Sequence, residues 1–204
     1  MTKKMQPFWW FLPPPYVYPC WYNECENCTD WTVQSPLECS VDTVNKKQGT
    51  GSIKIHSPPR ASTSERRATI AAAQCNPWFG FWIRNQNTWD MGLKLLKADG
   101  SYVEIIFLDG QYSIYIYDPV KGGYNIAWKP YTSLTWLWVE FKVSETPLEV
   151  ECYINGVHEV TFEGWNIYPV ATAAVFCTWL EEDYTWVDWL RWFPTQEYPP
   201  TYPY

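Results

Sequence analysis

The chain has 204 residues, of which 47% are hydrophobic and 18% are charged, so it is long enough to bury a full core and too apolar for extensive disorder. The net charge of −7 disfavours nucleic acid as a partner, and no apolar run approaches the roughly 20 residues that a membrane-spanning helix needs. Aromatic residues reach 19%, and 17 Pro against 10 Gly argue against a helical bundle.

Residues 1–40 are predicted to form an extended arm, because prolines and aromatic residues alternate there. Lys3 and Lys4 precede a short apolar stretch that imitates a signal peptide, but three prolines end it, so we expect a tail and not a targeting signal. Residues 194–204 form a second tail rich in Pro and Tyr. We expect the aromatic residues of both tails to contact other subunits: Phe8, Trp9, Trp10, Phe11, Tyr198, Tyr202 and Tyr204.

Four of the seven cysteines are close together in the N-terminal arm, namely Cys20, Cys25, Cys28 and Cys39. A Cys-x-x-Cys pair with two further cysteines fits a tetrahedral Zn²⁺ site, and the same residues could form two disulfides. Disulfides suit an exterior, aromatic-rich protein better. Because seven is odd, at least one cysteine is expected to be free or intermolecular.

Residues 41–193 alternate hydrophobic and polar side chains with a period of two, and turn signals recur about every ten residues. This pattern predicts about twelve short antiparallel strands in an all-β, two-sheet jelly-roll sandwich. Hairpins are predicted at Asp99-Gly100, Asp109-Gly110 and Asn155-Gly156.

The strand registers of the first two hairpins can be predicted from their turn residues. A three-residue loop with a Gly bulge at Asp99-Gly100 sets Lys94 opposite Glu104, and Asp109-Gly110 suits a two-residue type I′ turn. These registers predict a common core face made of Met91, Leu93, Leu95, Val103, Ile105, Phe107, Tyr112, Ile114 and Ile116.

The third hairpin needs a three-residue loop, with Gly156 in the left-handed conformation, to keep its hydrophobic residues on one face. That face would hold Leu148, Val150, Cys152, His158, Val160 and Phe162. The opposite face would hold an acidic cluster of Glu149, Glu151, Glu159 and Glu163, with Glu151 opposite Glu159. Like charges destabilise a ladder, so we expect compensation by Lys142, by a bound cation, or by a basic partner such as residues 54–67 of another subunit.

Four segments carry a family resemblance: GTGSIKI at 49–55, WLWVEFKV at 136–143, ECYINGVHEV at 151–160 and TWVDWLRW at 185–192. Together they resemble the laminin-G-like, concanavalin A-like sandwich superfamily over about residues 41–193. The resemblance implies the fold and not the activity, because members include lectins, glycosidases, lyases and adhesion or virion proteins. Members of this superfamily often bind Ca²⁺ at loop rims.

Catalytic motifs are missing from the sequence. Glycosidases on this fold carry a Glu-x-Asp-x-x-Glu strand. The contiguous Glu181-Glu182-Asp183 is instead typical of a connecting turn, with a cation site as the alternative. There is no Gly-x-Ser-x-Gly elbow, phosphate loop or dinucleotide motif. We therefore expect that the protein is not an enzyme and requires no cofactor, with Ca²⁺ or Zn²⁺ as the metals that its acidic and cysteine clusters would suit.

Aromatic side chains near strand ends are candidates for stacking on sugar rings or for anchoring protein interfaces. They are Trp78, Trp82, Trp89, Trp128, Tyr131, Trp136, Trp165, Tyr168 and Trp179.

Three functions are weighed on this basis. The leading hypothesis is a non-catalytic structural or adhesion protein of an extracellular or virion assembly, self-associating through its arms, with a composition reminiscent of structural proteins from viruses of thermophilic archaea. The alternative is a lectin-like glycan-binding module. The third is a polysaccharide-cleaving enzyme.

Overall fold

The computed structural model describes residues 21–59, 62–86, 90–178 and 181–196, and these residues form sixteen strands and no helix. The strands are β1 Trp21–Asn23, β2 Thr32–Val33, β3 Glu38–Asp42, β4 Ser52–Ser57, β5 Arg66–Ala71, β6 Trp78–Asn85, β7 Met91–Lys97, β8 Tyr102–Leu108, β9 Gln111–Asp118, β10 Gly122–Asn125, β11 Lys129–Pro130, β12 Leu137–Ser144, β13 Glu149–Ile154, β14 Val157–Glu163, β15 Val170–Cys177 and β16 Asp183–Phe193. Within the described residues, no helix could span a membrane.

The strands form two antiparallel sheets of eight. The first sheet has the order β14-β13-β12-β6-β16-β4-β3, with β1 beside β16. The second has the order β10-β9-β8-β7-β15-β5-β2, with β11 beside β9. The all-β, two-sheet sandwich predicted from the alternating sequence is confirmed.

The core lies between the two sheets and is built from alternate side chains of each strand. Phe79 and Phe81 on β6, and Leu93 and Leu95 on β7, are completely buried in one cluster. Full burial of a side chain of this size stabilises the fold by roughly 1.5–3 kcal/mol. The residues between them, such as Lys94, point to the outer face of their sheet.

The two hairpins of the second sheet have the predicted registers. Asp109 and Gly110 connect β8 to β9 with φ angles of 43° and 78°, as a type I′ turn requires. In the preceding hairpin Lys94 pairs with Glu104, and Gly100 in the loop has a φ of 92°. The turn residues and the alternation of hydrophobic and polar side chains therefore favour the same register for β7, β8 and β9.

The three-residue loop predicted between β13 and β14 is wrong. Asn155 and Gly156 form a two-residue turn with φ angles of 51° and 80°. The register shift comes instead from a β-bulge between Cys152 and Tyr153. A bulge and a longer loop both insert one extra residue, and the alternation of side chains does not distinguish them.

The bulge changes which side chains share a face. Glu151 pairs with Thr161, so the predicted opposition of Glu151 and Glu159 is wrong. His158 is exposed and Leu148 is 39% exposed, so neither belongs to the core. The remaining buried members of the predicted face are Val150, Cys152 and Phe162.

From residue 21 onward, the segment predicted as an arm contributes β1 to β3 to the sheets. Cys28 and Cys39 form a disulfide with Cα atoms 5.9 Å apart, which decides between disulfide and zinc for this pair. Cys25 is a buried free thiol, and Cys75 is also disulfide-bonded. Cys20 lies outside the described residues.

Gly92 on β7 permits a close approach of β8. A Cβ atom at this position would lie 1.9 Å from the carbonyl oxygen of Ile105. We expect Gly92→Ala to lower the free energy of unfolding by about 1–3 kcal/mol in urea denaturation, because the backbone of β8 would have to shift. Val120→Ala is the control, since Val120 is almost fully exposed and its truncation should change stability by less than about 0.5 kcal/mol. Equal midpoints for the two variants would contradict this expectation.

Candidate functional site

A groove lies on the outer face of the second sheet, and we call it the outer-face groove. The registers place Tyr115 beside Glu104 and Glu104 beside Lys94, whose neighbour on the other side is Ala174. Gly92 holds the central position of the next row.

The ammonium group of Lys94 is buried between two carboxylates. Its Nζ atom lies 2.9 Å from Oε2 of Glu65 and 2.8 Å from Oε2 of Glu104. It also lies 4.3 Å from the ring centroid of Tyr102 and 4.1 Å from that of Phe176. The side chain is 1% exposed, and a charge so deeply buried requires partners of this kind.

The two carboxyl groups have opposite electrostatic environments. Burial raises the pKa of Glu104, even though Lys94 acts in the other direction. Burial would also raise the pKa of Glu65, but Lys94 and Arg67 outweigh it and hold that pKa below its ordinary value. Lys94 is the cation paired with the buried Oε2 atom of Glu104, at 2.8 Å. The site therefore combines one carboxyl group that retains its proton more readily with one that is readily ionised.

Tyrosines form one side of the groove. The ring of Tyr102 lies 5.8 Å from that of Tyr115 and 5.3 Å from that of Tyr117, measured between centroids. Gly123 makes room for Tyr115, because a Cβ atom there would lie 1.7 Å from its hydroxyl oxygen. Burial raises the pKa of Tyr102 and of Tyr115, so both hydroxyl groups stay protonated at neutral pH and can donate hydrogen bonds.

The groove encloses a cavity of about 380 Å³, within the size range of small-molecule and sugar sites. Glu65, Glu104, Tyr115, Asn125 and Trp128 line it. Trp128 is 38% exposed, so its indole ring is accessible at the edge of the cavity. An accessible aromatic ring beside fixed polar groups is the usual composition of a sugar subsite.

Several other aromatic candidates lie away from the groove. Trp78, Trp82 and Trp136 belong to a separate cluster with Trp138 and Phe193. Trp82 is only 6% exposed and its ring packs 5.3 Å from that of Trp138, so it has little accessible surface.

Tyr131 is buried, and its hydroxyl group donates to the carbonyl oxygen of Thr135 at 2.7 Å and accepts from the backbone nitrogen of Asn85 at 3.0 Å. Trp165 and Tyr168 are half-buried against the core. These three aromatic residues therefore have structural contacts of their own.

Among the candidates that the structure describes, Trp128 alone lines the outer-face groove. Two further stacking candidates and all the proposed assembly residues lie outside the described residues: Trp89, Trp179, Phe8, Trp9, Trp10, Phe11, Tyr198, Tyr202 and Tyr204.

The acidic cluster of β13 and β14 has cationic neighbours within the chain. The Nζ atom of Lys142 lies 3.1 Å from Glu149 and also contacts Glu151, while Glu159 pairs with the lysine of β11. Glu149 lies opposite Glu163. Lys142 was one of the three compensations expected from the sequence, and it contacts two of the four carboxylates.

Asp188 on β16 lies against the loop that contains Gln48. Its Oδ2 atom accepts hydrogen bonds from the backbone nitrogens of Lys47 and Gln48, at 2.8 and 2.9 Å. Its Oδ1 atom is buried without a hydrogen bond, and so is Oε1 of Gln48. Burial raises the pKa of Asp188 to about 7.

Ca²⁺ is the metal that the sequence resemblance leads us to expect, and the unpaired oxygens of Asp188 and Gln48 are ligands that it could use. Within the described ranges, no group of three or more His, Cys, Asp or Glu side chains is arranged to hold a metal ion. Ca²⁺, however, also accepts amide and carbonyl oxygens. Asp188, Gln48, Glu24 and Gly49 line a cavity of about 110 Å³ and are the residues that would hold the ion. A Ca²⁺ ion there would neutralise the negative charge of Asp188, and would stabilise the folded state by binding to it.

No family model matches the sequence, and no curated protein matches it. Solved structures share its fold. The endo-beta-1,4-glucuronan lyase from the fungus Trichoderma reesei is 11% identical, with a TM-score of 0.63 over 87% of this chain and 96% of that one. The cellulose-induced protein Cip1 is 12% identical, with a TM-score of 0.68 over 88% and 99%. The Bacillus licheniformis beta-glucanase is 12% identical, with a TM-score of 0.60 over 86% and 98%. The chain therefore has the concanavalin A-like sandwich fold that its sequence motifs resemble.

The expectation that the protein is not an enzyme is contradicted by these comparisons, because two of these three structures are of a lyase and a glucanase. That expectation rested on several missing catalytic motifs, one of which requires both carboxylates on one strand. The comparisons give no support to a virion role.

Sequence reasoning missed most of the groove. It predicted the pairing of Lys94 with Glu104, but only as a favourable cross-strand pair. It did not identify Glu65, Tyr102 or Tyr115. The available signal was the concentration of charged and tyrosine residues at the outward positions of three consecutive strands.

Proposed function

We propose that the protein binds a polysaccharide in the outer-face groove. The observation that carries this proposal is the accessible indole of Trp128 above a cavity whose polar groups are fixed by the sheet. Sugar rings present apolar C–H faces and polar edges, so they suit a site with one aromatic surface and several hydrogen-bonding groups.

The polar groups of the groove match the edges of a sugar ring. Asn125 can donate and accept, the hydroxyl groups of Tyr102 and Tyr115 can donate, and Glu65 can accept. Lys94 and Arg67 balance the two carboxylates, so the groove has no large excess of either charge.

The comparisons support a β-linked polysaccharide as the ligand class. The names of the similar structures refer to a glucuronan lyase, a beta-glucanase and a cellulose-induced protein. A β-linked glucan chain is extended, which suits a groove that crosses several strands. We propose β-linked glucans as the ligands of this groove, with barley mixed-linkage β-glucan as the probe.

We expect Trp128→Ala to weaken binding of mixed-linkage β-glucan by about tenfold or more, because the stacking surface at the edge of the cavity is lost. Affinity electrophoresis in gels that contain the polysaccharide measures this change. Trp136→Ala is the matched control, since Trp136 belongs to the separate aromatic cluster and should leave migration unchanged. A loss of retardation in Trp136→Ala with none in Trp128→Ala would move the binding site to the first sheet and contradict the proposal.

A further inference from the structure

We propose that the outer face of the first sheet is a docking surface, and that its occupant is the N-terminal segment of the same chain, residues 1–20. This segment lies outside the described residues, whereas the strands that it would cover are described. The surface is on the opposite side of the sandwich from the outer-face groove, so docking does not depend on polysaccharide binding.

The centre of this surface is aromatic, and we call it the aromatic face. Strands β12, β6 and β16 are neighbours there, and alternate residues of each strand point away from the core. The outward-facing residues are Trp78, Trp82, Trp138, Glu140, Arg191 and Phe193. Gly80 lies among them, and a Cβ atom on it would lie 2.6 Å from the ring of Trp138 and 2.8 Å from that of Phe193. The two rings therefore lean over Gly80 and close the surface between the strands.

Side chains of the aromatic face are buried although they point outward. Trp138, Glu140 and Phe193 are completely buried. Within the described residues, the rings contact one another sideways, with centroids 5.3 Å apart for Trp138 and Trp82 and 6.3 Å apart for Trp138 and Phe193. The outer face of an antiparallel sandwich is normally open to water, as it is at Trp128 on the second sheet. Complete burial of outward-facing side chains, a glutamate among them, therefore indicates a covering layer.

The N-terminal segment joins the molecule at the edge of the aromatic face. Trp21 begins β1 and pairs with Trp192, and β1 runs antiparallel to β16. The chain that precedes Trp21 therefore enters the sheet from the side of Phe193, which pairs with Trp78 at the start of β6. Because the segment is tethered at this point, its effective concentration at the aromatic face exceeds that of a free partner.

The composition of residues 1–20 suits an aromatic surface. Residues 8–12 are the apolar run Phe-Trp-Trp-Phe-Leu, with one proline before it and four after it in the segment. Proline-rich segments dock on aromatic surfaces at a low entropic cost, because their extended conformation is already formed. Five extended residues span about 16 Å. The outer two of three neighbouring strands are about 10 Å apart, so the run is long enough to cross the aromatic face.

The charge of the segment favours it over the C-terminal tail as the occupant. Both join the sheet near Phe193, because the tail follows β16. Residues 1–20 contain two lysines and no acidic residue, whereas residues 197–204 contain Glu197 and no cation. The aromatic face contains the buried Glu140, and the whole chain has a net charge of −7. A basic segment is the better electrostatic complement to such a surface.

Docking gives the two outer faces of the sandwich different roles. An uncovered aromatic face would be a large apolar patch, and such patches promote association between molecules. The docked segment removes this patch from water. The outer-face groove, on the other sheet, stays accessible to a ligand.

The test uses the full chain with the photoreactive substitution Trp9→p-benzoylphenylalanine. Irradiation of a dilute sample, followed by peptide mass spectrometry, locates the residues that position 9 contacts. We expect cross-links within the monomer to peptides of β6, β12 and β16. Tyr202→p-benzoylphenylalanine is the matched control in the C-terminal tail, and it should not give these cross-links.

Each other outcome would overturn the proposal. Cross-links between two chains would assign the aromatic face to the N-terminal segment of a second copy. Cross-links to the face from position 202 and not from position 9 would assign it to the C-terminal tail. Cross-links from position 9 to the second sheet, or to no part of the sandwich, would show that the segment does not dock on this face.

Proteolysis of the wild-type protein covers the case in which a substituted chain fails to fold. Chymotrypsin cleaves after aromatic residues, and we expect cleavage within residues 8–11 to be at least about tenfold slower in the protein than in a synthetic peptide of residues 1–20, because a docked segment must first open. Trp78→Ala should reduce this protection by about threefold or more. Tyr184→Ala is the matched control, since Tyr184 lies on the same sheet but stacks on His56, and it should keep the protection. Equal cleavage rates in protein and peptide would overturn the proposal.

Discussion

Replacing Lys94 by alanine is expected to lower the free energy of unfolding by about 3–5 kcal/mol at neutral pH. The side chain is 1% exposed and its ammonium group contacts Glu65 and Glu104. Without it, the carboxyl group of Glu104 would be buried without the cation that lies 2.8 Å away, and the cavity left by three methylene groups and the ammonium group would add to the cost. Urea denaturation followed by tryptophan fluorescence measures the change.

The effect of Lys94→Ala should also depend on pH. Because burial raises the pKa of Glu104, its protonated form becomes accessible in mildly acidic solution, and the destabilisation should then decrease. Lys46→Ala is the control, since Lys46 is exposed and its loss should cost less than about 0.5 kcal/mol. A cost below about 1 kcal/mol for Lys94→Ala at neutral pH would show that the buried ion pairs do not stabilise the fold.

The second large effect is expected at Asp188. We compare the free energy of unfolding of the wild-type protein with that of Asp188→Asn in the presence of a chelator. The wild-type value, relative to the variant, should fall by up to about 4 kcal/mol between pH 4 and pH 7. The pKa of Asp188 rises from 3.8 in the unfolded chain to about 7 in the fold, so the folded state favours the protonated carboxyl group. This contribution is fully present below pH 3.8, decreases as the pH rises, and is lost above pH 7.

Asparagine is a close isostere of Asp188, because its carbonyl oxygen can still accept the two backbone hydrogen bonds of the Gln48 loop. At pH 8, saturating Ca²⁺ should raise the melting temperature of the wild-type protein and not that of Asp188→Asn. If the free energies of unfolding of the two proteins change in parallel with pH in the presence of a chelator, the raised pKa of Asp188 is contradicted. Equal responses to Ca²⁺ would place any bound ion elsewhere.

Much of the fold could be predicted from the sequence where local chemistry decides the structure. The Asp109-Gly110 turn and the alternation of β7 to β9 fix both face and register, and the structure agrees with them. The prediction failed for the β13–β14 hairpin, because packing places the extra residue at a bulge beside Cys152 and not in the loop. Local sequence contains no information on that choice.

The groove could be predicted only in part, for a different physical reason. Lys94 and Glu104 are joined by a short hairpin, so their pairing can be read from the sequence. Glu65 precedes β5, and it reaches Lys94 because β5 and β7 flank the same strand, β15, in the sheet. These strands are far apart in the sequence, so local patterns do not predict that they are neighbours. The accessibility of each tryptophan also depends on which sheet face is covered, so Trp82 and Trp128 could not be distinguished.

The central positions of β15 and β16 have a consequence for the order in which the molecule is made. Each strand lies between two strands that emerge from the ribosome earlier, β15 between β5 and β7 and β16 between β4 and β6. Until residues 170–193 have been synthesised, both sheets lack a middle strand, and their exposed edges can pair with other chains. Before then only parts of each sheet can pair, such as β7 to β10 and β12 to β14, and both sheets are completed in a late step with long-range contacts, which is slow.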